Sequence, residues 1–343
     1  MKGLIFPGDR RTAFIDVEDP TPDHGDVVVE IKASGMCGSD LHPYRAPSDR
    51  SRPNDRRMIG GHEPCGIVAA VGPGVPSNVA KVGDRIMVHH YHGCTTCRHC
   101  RTGWPQLCEP VTRITYSSNA HGAHAPYMKV AADTLVPLDE SLSFEAGAAI
   151  ACGTGTAWGA LERLQPRGDE TIAVFGQGPV GLSATLLAST RGSRVIAIDL
   201  DANRLDLAKR FGAAECINAK TADVTQALRE LTGGRGVEMV VETSGSPAAG
   251  QAGLNATAVW GKVCMVGVGG KVTVETQALL DRQVTVMTSY TMSTVGQKAC
   301  ADFVVARNLN LDSLFTHRWR LDQADEAYRL FDAQSSGKGV FLF

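Results

Sequence analysis

The sequence predicts an α/β protein of two domains, a β-rich, partly closed barrel and a doubly wound parallel sheet. Three observations carry this. At 343 residues the chain exceeds the roughly 250–300 at which a single hydrophobic core stops growing. Its first part is built of short β-branched runs separated by Gly and Pro, the pattern of a small barrel. From Thr171 onward β-branched runs alternate with helical stretches, the pattern of a parallel sheet covered on both faces. The expected division is residues 1–150 for the first domain and 151–288 for the second.

Composition narrows the partners. A formal net charge of −2, from 34 basic and 36 acidic residues, supplies no global attraction to nucleic acid or to an anionic membrane. Met1–Pro7 lacks the apolar core and small-residue cleavage site of a signal peptide, and no apolar run reaches about 18 residues. The expectation is a soluble, cytoplasmic protein that engages neither nucleic acid nor membrane. Four of the ten cysteines cluster at metal-like spacing, which favours metal over disulfides. Cys65, Cys216, Cys264 and Cys300 have no such pattern and read as small core residues.

In chain order, Val27–Ala33 reads as a strand that delivers Gly35-Met36-Cys37-Gly38-Ser39-Asp40-Leu41-His42 to a loop, where a thiol, a hydroxyl, a carboxylate and an imidazole crowd together. Gly60-Gly61-His62-Glu63-Pro64 follows, then strands at 66–72 and 82–88. Asp40 is placed to orient the ring of His62. Between the two segments, Arg45, Arg50, Arg52, Arg56 and Arg57 face only Asp49 and Asp55 as acids, so this loop would carry a locally positive field at the mouth of the site or be ordinary surface.

Cys94, Cys97, Cys100 and Cys108 can surround one tetrahedral ion and leave no position open, which is a structural rather than a catalytic metal site. Four cysteines in one short lobe weigh against a redox pair. A nucleic-acid zinc finger would need a basic recognition helix, and only Arg98, His99 and Arg101 are at hand.

Thr171–Phe175 reads as a strand, Gly176-Gln177-Gly178-Pro179-Val180-Gly181 as a turn, Val180–Ala188 as a helix and Arg194–Ile198 as a second strand ending on Asp199. A glycine pattern between strand and helix, with an acid about twenty residues on, is the dinucleotide-binding arrangement of a Rossmann fold. Gly176 would permit the turn, Gly178 would let the pyrophosphate approach, and Gly181 would let helix and strand pack closely. Pro179 in the turn and Val180 at the start of the helix lie at the N-terminus that faces the phosphates. Asp199 would take the ribose hydroxyls and repel a phosphate there, favouring NAD over NADP, while Arg204 at the same edge could soften that preference. Further strands are expected at 214–218, 237–241, 262–267 and 284–287. Thr243-Ser244-Gly245 and Gly267-Val268-Gly269 then lie at strand ends, where such sheets bind ligands.

Cys37-Gly-Ser-Asp with Gly61-His62-Glu63 and a later cysteine resembles the zinc-containing medium-chain dehydrogenases, the alcohol dehydrogenase family. The resemblance spans almost the whole chain. It implies a GroES-like first domain to which residues 289–343 partly return, a catalytic zinc on Cys37, His62 and Cys152, and a second zinc in the four-cysteine lobe. It also implies NAD as cofactor, an alcohol or its carbonyl as substrate, and a homo-oligomer, dimer or tetramer. In such enzymes Ser39 would accept the substrate proton, the nicotinamide ribose would pass it on to His42, and Glu63 would stand beside the metal as an alternate ligand.

Cys152 resembles the simple-alcohol branch, because polyol-active relatives carry an acid near that place. Against this, His90-Tyr91-His92 would set polar groups where several relatives line the pocket with a large apolar residue, leaving a polyol or sugar substrate as the alternative. Gly38 replaces a base that some relatives direct at the pyrophosphate, and Lys338 is the candidate substitute. A non-catalytic nucleotide-binding protein is the reading from another class, and it has no use for Cys37, Ser39, His42, His62 and Cys152 together.

Overall fold

The structure is a computed structural model that describes residues 1–49, 54, 57–109, 113–333 and 337–343. The chain divides into two compact units, residues 1–155 with 293–343, and residues 156–292.

The first unit is organised on the strand Asp26–Gly35, whose β-branched residues are buried on both faces. It lies between Lys338–Leu342 and Glu63–Val71 in a seven-stranded sheet with the order Phe315–Arg320, Lys338–Leu342, Asp26–Gly35, Glu63–Val71, Arg85–Val88, Leu135–Pro137, and Tyr127–Ala131 also pairs with it. Val27, Val29, Ile31, Val68, Met128 and Val130 fill one core. Each such side chain contributes about 1.5–3 kcal/mol when fully buried. A second core, with Met36, Leu41, Tyr44, Trp319, Tyr328 and Phe341, joins the loop after Asp26–Gly35 to the helix Ala324–Asp332.

The strand expected at 82–88 begins only at Arg85. Lys81 N donates to the Asp84 carboxylate at 2.7 Å and Gly83 has φ +96°, so Val82–Asp84 form a turn. The backbone of Gly83 and Asp84 still bonds to Val68 of the neighbouring strand, but the left-handed conformation at Gly83 breaks the extended run before Arg85.

The second unit carries a parallel sheet with strand order Glu215–Asn218, Arg194–Asp199, Thr171–Phe175, Val237–Glu242, Thr257–Met265, Thr285–Thr288. The chain starts at Thr171–Phe175, winds outward to one edge, then crosses to Val237–Glu242 and winds to the other. The switch point therefore lies between Thr171–Phe175 and Val237–Glu242, and ligands of such sheets bind beyond the carboxyl ends there. The helix opens at Pro179 and runs to Thr190, two residues past the expected end. The strand expected at 262–267 ends at Met265, which leaves Gly267 and Val268 beyond it with Val268 72% exposed. Among the described residues no helix is long and apolar enough to cross a membrane.

Candidate active site

Antiparallel register brings the first two ligand candidates together. Gly35, at the end of Asp26–Gly35, lies opposite Glu63, the first residue of its partner strand. Cys37, two residues past one strand, and His62, one residue before the other, must therefore meet at the same end of the sheet. Cys152 joins them as the C-terminal cap of the helix Phe144–Ala151. One donor atom from each of Cys37, His62 and Cys152 lies within 4.8 Å of the others. The two sulfurs stand 3.9 Å apart. Two sulfurs each about 2.3 Å from one tetrahedral zinc would be about 3.8 Å apart, so the donor set fits that ion.

The electrostatics point the same way. The Cys37 thiol is held well below its ordinary value by the Cys152 hydrogen bond, and Cys152 is held well above by the same contact, so the sulfurs share one proton. A divalent cation would let both ionise. Burial pulls the His62 imidazole down, but the charges of Asp40 and Cys37 carry it well above the usual range. His62 Nδ1 is 3.0 Å from Asp40 Oδ1, and Asp40 Oδ2 accepts from Cys37 N at 2.9 Å. Asp40 thus fixes the ring of one ligand and the backbone of another, and it leaves His62 Nε2 as the donor to a metal. The Ser39 hydroxyl is 3.2 Å from Cys37 Sγ and 3.1 Å from His62 Nε2, so it borders the metal position. His42 lies exposed on the short helix Leu41–Arg45 that follows.

Three neighbours depart from the sequence reading or were missed by it. Lys338, expected near a pyrophosphate, is instead buried and ion-paired with Glu63, because Lys338–Leu342 enters the sheet beside Asp26–Gly35. Of His90-Tyr91-His92, only His90 is brought to the site, its ring 5.1 Å from that of His62 and its Nδ1 3.2 Å from the Ala151 carbonyl. His92 turns instead to Asp133 at 2.9 Å. Behind Asp40 lies a buried polar chain that carries no local signal in the sequence. The Tyr328 hydroxyl interacts with Asp40 and is 2.6 Å from His124 Nε2, and His124 Nδ1 is 2.8 Å from Ser34 Oγ. Every group is satisfied if Ser34 donates to a neutral His124, His124 donates to Tyr328, and Tyr328 donates to Asp40. Of the arginine-rich loop, Arg50, Arg52, Asp55 and Arg56 lie outside the described residues. Arg45 is bound to Asp332.

In the lobe, the sulfurs of Cys94, Cys97, Cys100 and Cys108 also lie within 4.8 Å of one another. Cys94 Sγ accepts from Cys97 N at 3.2 Å, and Cys108 Sγ accepts from Cys94 N at 3.3 Å, the contacts expected of thiolates. Cys94 is drawn down to about 6 by the Thr96 hydroxyl and the Cys97 amide, while burial and the adjoining thiols push Cys100 up to about 12. Four sulfurs at this distance cannot all ionise without a cation among them, and the set fits a closed structural zinc.

The second unit presents the dinucleotide elements at its switch point. Gly176 has φ +84°, and a Cβ on Gly181 would stand 1.7 Å from the Gly176 carbonyl oxygen, so neither position admits a side chain. A Cβ on Gly178 would meet nothing within 4 Å, which leaves the backbone open to a ligand at the N-terminus of Pro179–Thr190. Gln177, which the sequence reading passed over, folds its buried side chain beneath the loop, donating to the Val174 carbonyl and accepting from Thr185, each at 2.9 Å. Asp199 accepts from Gln177 N, Leu200 N and Asp201 N at 2.5, 2.7 and 2.9 Å. Three of about four acceptor positions on that carboxylate are thereby used, and one is left for a ribose hydroxyl. Arg204 sits half-buried one turn into the next helix. These residues fit a dinucleotide.

Comparison with known proteins agrees with this geometry. Residues 23–140 match the alcohol dehydrogenase GroES-like domain, and residues 179–306 match the zinc-binding dehydrogenase family. The zinc-type alcohol dehydrogenase-like protein YphC of Escherichia coli is 36% identical over 351 residues, covering 100% of this chain and 99% of its own length. Sorbitol dehydrogenase of Bacillus subtilis is 31% identical, over 95% of this chain and 92% of its own. Among solved structures, an alcohol dehydrogenase from Thermus sp. ATN1 superposes with a TM-score of 0.90 at 29% identity, over 100% of this chain and 99% of that one. With a two-thiol, one-imidazole cluster, a four-thiol lobe and a dinucleotide loop in these places, the chain belongs to the zinc-dependent medium-chain dehydrogenases, the alcohol dehydrogenase family.

Proposed function

We propose that the protein transfers a hydride between an alcohol, or the corresponding aldehyde or ketone, and NAD. The observation that carries this is the convergence of Cys37, His62 and Cys152, three donors of the kind that leave a catalytic zinc one open position. Zinc bound there supplies Lewis-acid polarisation of a substrate oxygen. The remaining tasks fall to the chain. Asp40 holds the His62 ring and the Cys37 backbone in place. Ser39, at the edge of the cluster, accepts the alcohol proton, and exposed His42 delivers it to water. Asp199 takes one ribose hydroxyl and repels a 2'-phosphate, which sets the preference for NAD.

A polyol or sugar alcohol is the second reading for the substrate. It is supported by the buried imidazole of His90 beside His62, a polar wall able to recognise an additional hydroxyl. The likeness to sorbitol dehydrogenase is consistent with it. We also propose a homo-oligomer, since Val259 and Trp260 are 60% and 72% exposed near the edge strand Thr285–Thr288. A reducing, cytoplasmic setting suits the six cysteines that act as ligands.

The deciding experiment is a panel of primary alcohols, polyols and their carbonyl products, read by NADH absorbance with zinc-loaded protein. Turnover of any class that disappears on Cys152→Ala supports the reading. Wild-type protein with two zinc ions and no activity on the whole panel would overturn it.

A further inference from the structure

A buried carboxylate in the second unit is held by neutral groups alone. Glu242 ends the strand Val237–Glu242 and is 3% exposed. Among the described residues its side-chain partners all belong to the next turn: Ser244 N donates at 2.7 Å, Gly245 N at 3.1 Å, and the Ser244 hydroxyl donates as well. A carboxyl group that only accepts is in its ionised form. A neutral glutamine oxygen could serve the same donors at a much smaller desolvation cost, so the turn by itself does not account for a charge here.

The charge lies between the two loops at the switch point. On one side, a Cβ on Gly176 of the dinucleotide loop would stand 3.2 Å from Ser244 N, and Thr243 Oγ1 donates to the Gly176 carbonyl at 3.0 Å. On the other, a Cβ on Gly267 would stand 2.8 Å from Glu242 Oε2 and 2.0 Å from Gly245 N, so the loop after Thr257–Met265 closes on the carboxylate only because residue 267 is glycine. Val266 N and Gly267 N both donate to the Glu242 carbonyl, at 2.8 and 2.9 Å. With phosphates at the N-terminus of Pro179–Thr190 and the adenosine ribose at Asp199, the other half of a dinucleotide crosses the switch point to the side of Val237–Glu242 and Thr257–Met265. That half carries the nicotinamide, which is positively charged in NAD+ and neutral in NADH. A fixed anion held by these loops therefore tells the two redox states apart.

We propose that Glu242 supplies a fixed negative charge to the nicotinamide half of the cofactor site, so that oxidised cofactor is favoured relative to reduced cofactor and hydride exchange on the protein is biased toward reducing the carbonyl. This rests on the reading of the glycine loop and Asp199 as the adenosine half of an NAD site. The test measures binding to full-length, zinc-loaded protein with no alcohol present, NAD+ and AMP by titration calorimetry and NADH by fluorescence. Glu242→Gln keeps an acceptor oxygen for Ser244 and Gly245 and removes the charge. It should raise Kd for NAD+ about 5-fold and that for NADH less than about 2-fold, and leave AMP unchanged. By linkage, the same change in ratio is the shift of the bound couple toward its reduced form. Glu242→Asp keeps the charge and should hold the wild-type ratio of the two constants even if both rise.

Equal weakening of NAD+ and NADH in Glu242→Gln, the result of a purely structural role, would overturn the proposal, as would unchanged affinity for both. If Glu242→Gln does not fold, Glu242→Ser, which admits water in place of the carboxylate, gives the same reading, and an unchanged ratio there is equally fatal. Failure of the underlying site assignment looks different: Asp199→Ala would then bind AMP as tightly as wild type.

Discussion

His124 provides a quantitative test of the polar chain behind the active site. Its ring is fully buried between Ser34 and Tyr328, and burial pushes its pKa down from 6.5 to about 4. A depressed folded pKa means that the neutral form is the one the fold accepts. The stability it contributes is whole above the unfolded value of 6.5 and drains away as pH falls toward 4. Lowering the value from 6.5 to about 4 corresponds to about 3.4 kcal/mol in total, of which about 2 kcal/mol is gone by pH 5. Protonation would also place a hydrogen on Nδ1, where Ser34 has to donate, so the chain toward Asp40 must rearrange. The assay is urea unfolding of wild type and His124→Gln by circular dichroism at pH 7.5, 6.5 and 5, with metal content checked at each. Metal-ligand protonation occurs in both proteins and cancels in the comparison. The variant should be the less stable at pH 7.5, and the gap should narrow by about 2 kcal/mol at pH 5. A gap that stays constant across this range would refute the neutral buried imidazole.

Three further outcomes are expected. Cys152→Ala should bind one zinc per chain rather than two and lose turnover while keeping its far-ultraviolet spectrum, as elemental analysis and circular dichroism will show. Cys97→Ser should lose the other zinc and, if the lobe's metal contributes about 3 kcal/mol, lower Tm by about 6–12 °C; an unchanged Tm would remove the structural role. Asp199→Asn removes the charge and keeps one acceptor oxygen for the Leu200 and Asp201 amides, at the cost of the bond from Gln177 N, and it should narrow the NAD-over-NADP ratio of kcat/KM by about 10-fold; equal use of both cofactors by wild type would contradict the role given to Asp199.

The legible parts of this protein are those whose geometry is set by neighbours in sequence. The glycine turn at 176–181 could be read because strand, turn, helix and acid follow one another within one βαβ unit. The four-cysteine lobe could be read because 15 residues contain every donor. The catalytic cluster could not be assembled from spacing. Cys37 and Cys152 lie 115 residues apart, and the ligand set came from family resemblance. Lys338 was misplaced for a related reason. Its position depends on Lys338–Leu342 pairing with Asp26–Gly35, a contact across some 300 residues that no local pattern encodes. Tyr328 and His124, 204 residues apart, stand in no motif, and only the fold makes them partners.

The cost of this arrangement explains its composition. Beneath the metal position Asp40, Glu63, Lys338, His124 and Tyr328 are all buried, where apolar side chains would cost far less to desolvate. Such a network is tolerable only if nearly every member is satisfied, since one orphaned partner costs more than the network contributes. Within it Ser34, His124 and Tyr328 donate in series to Asp40, and Asp40 in turn accepts from His62 Nδ1, so the carboxylate is held from behind and the ring of the ligand in front; the Lys338–Glu63 pair lies beside this series. Carbon side chains could fill the same volume more cheaply, but they could not select which imidazole nitrogen faces the metal. Restoring packing without polarity, as in Tyr328→Phe, should therefore leave the fold largely intact and yet weaken zinc retention against a chelator. A variant as slow to release zinc as wild type would show that Asp40 orients His62 unaided.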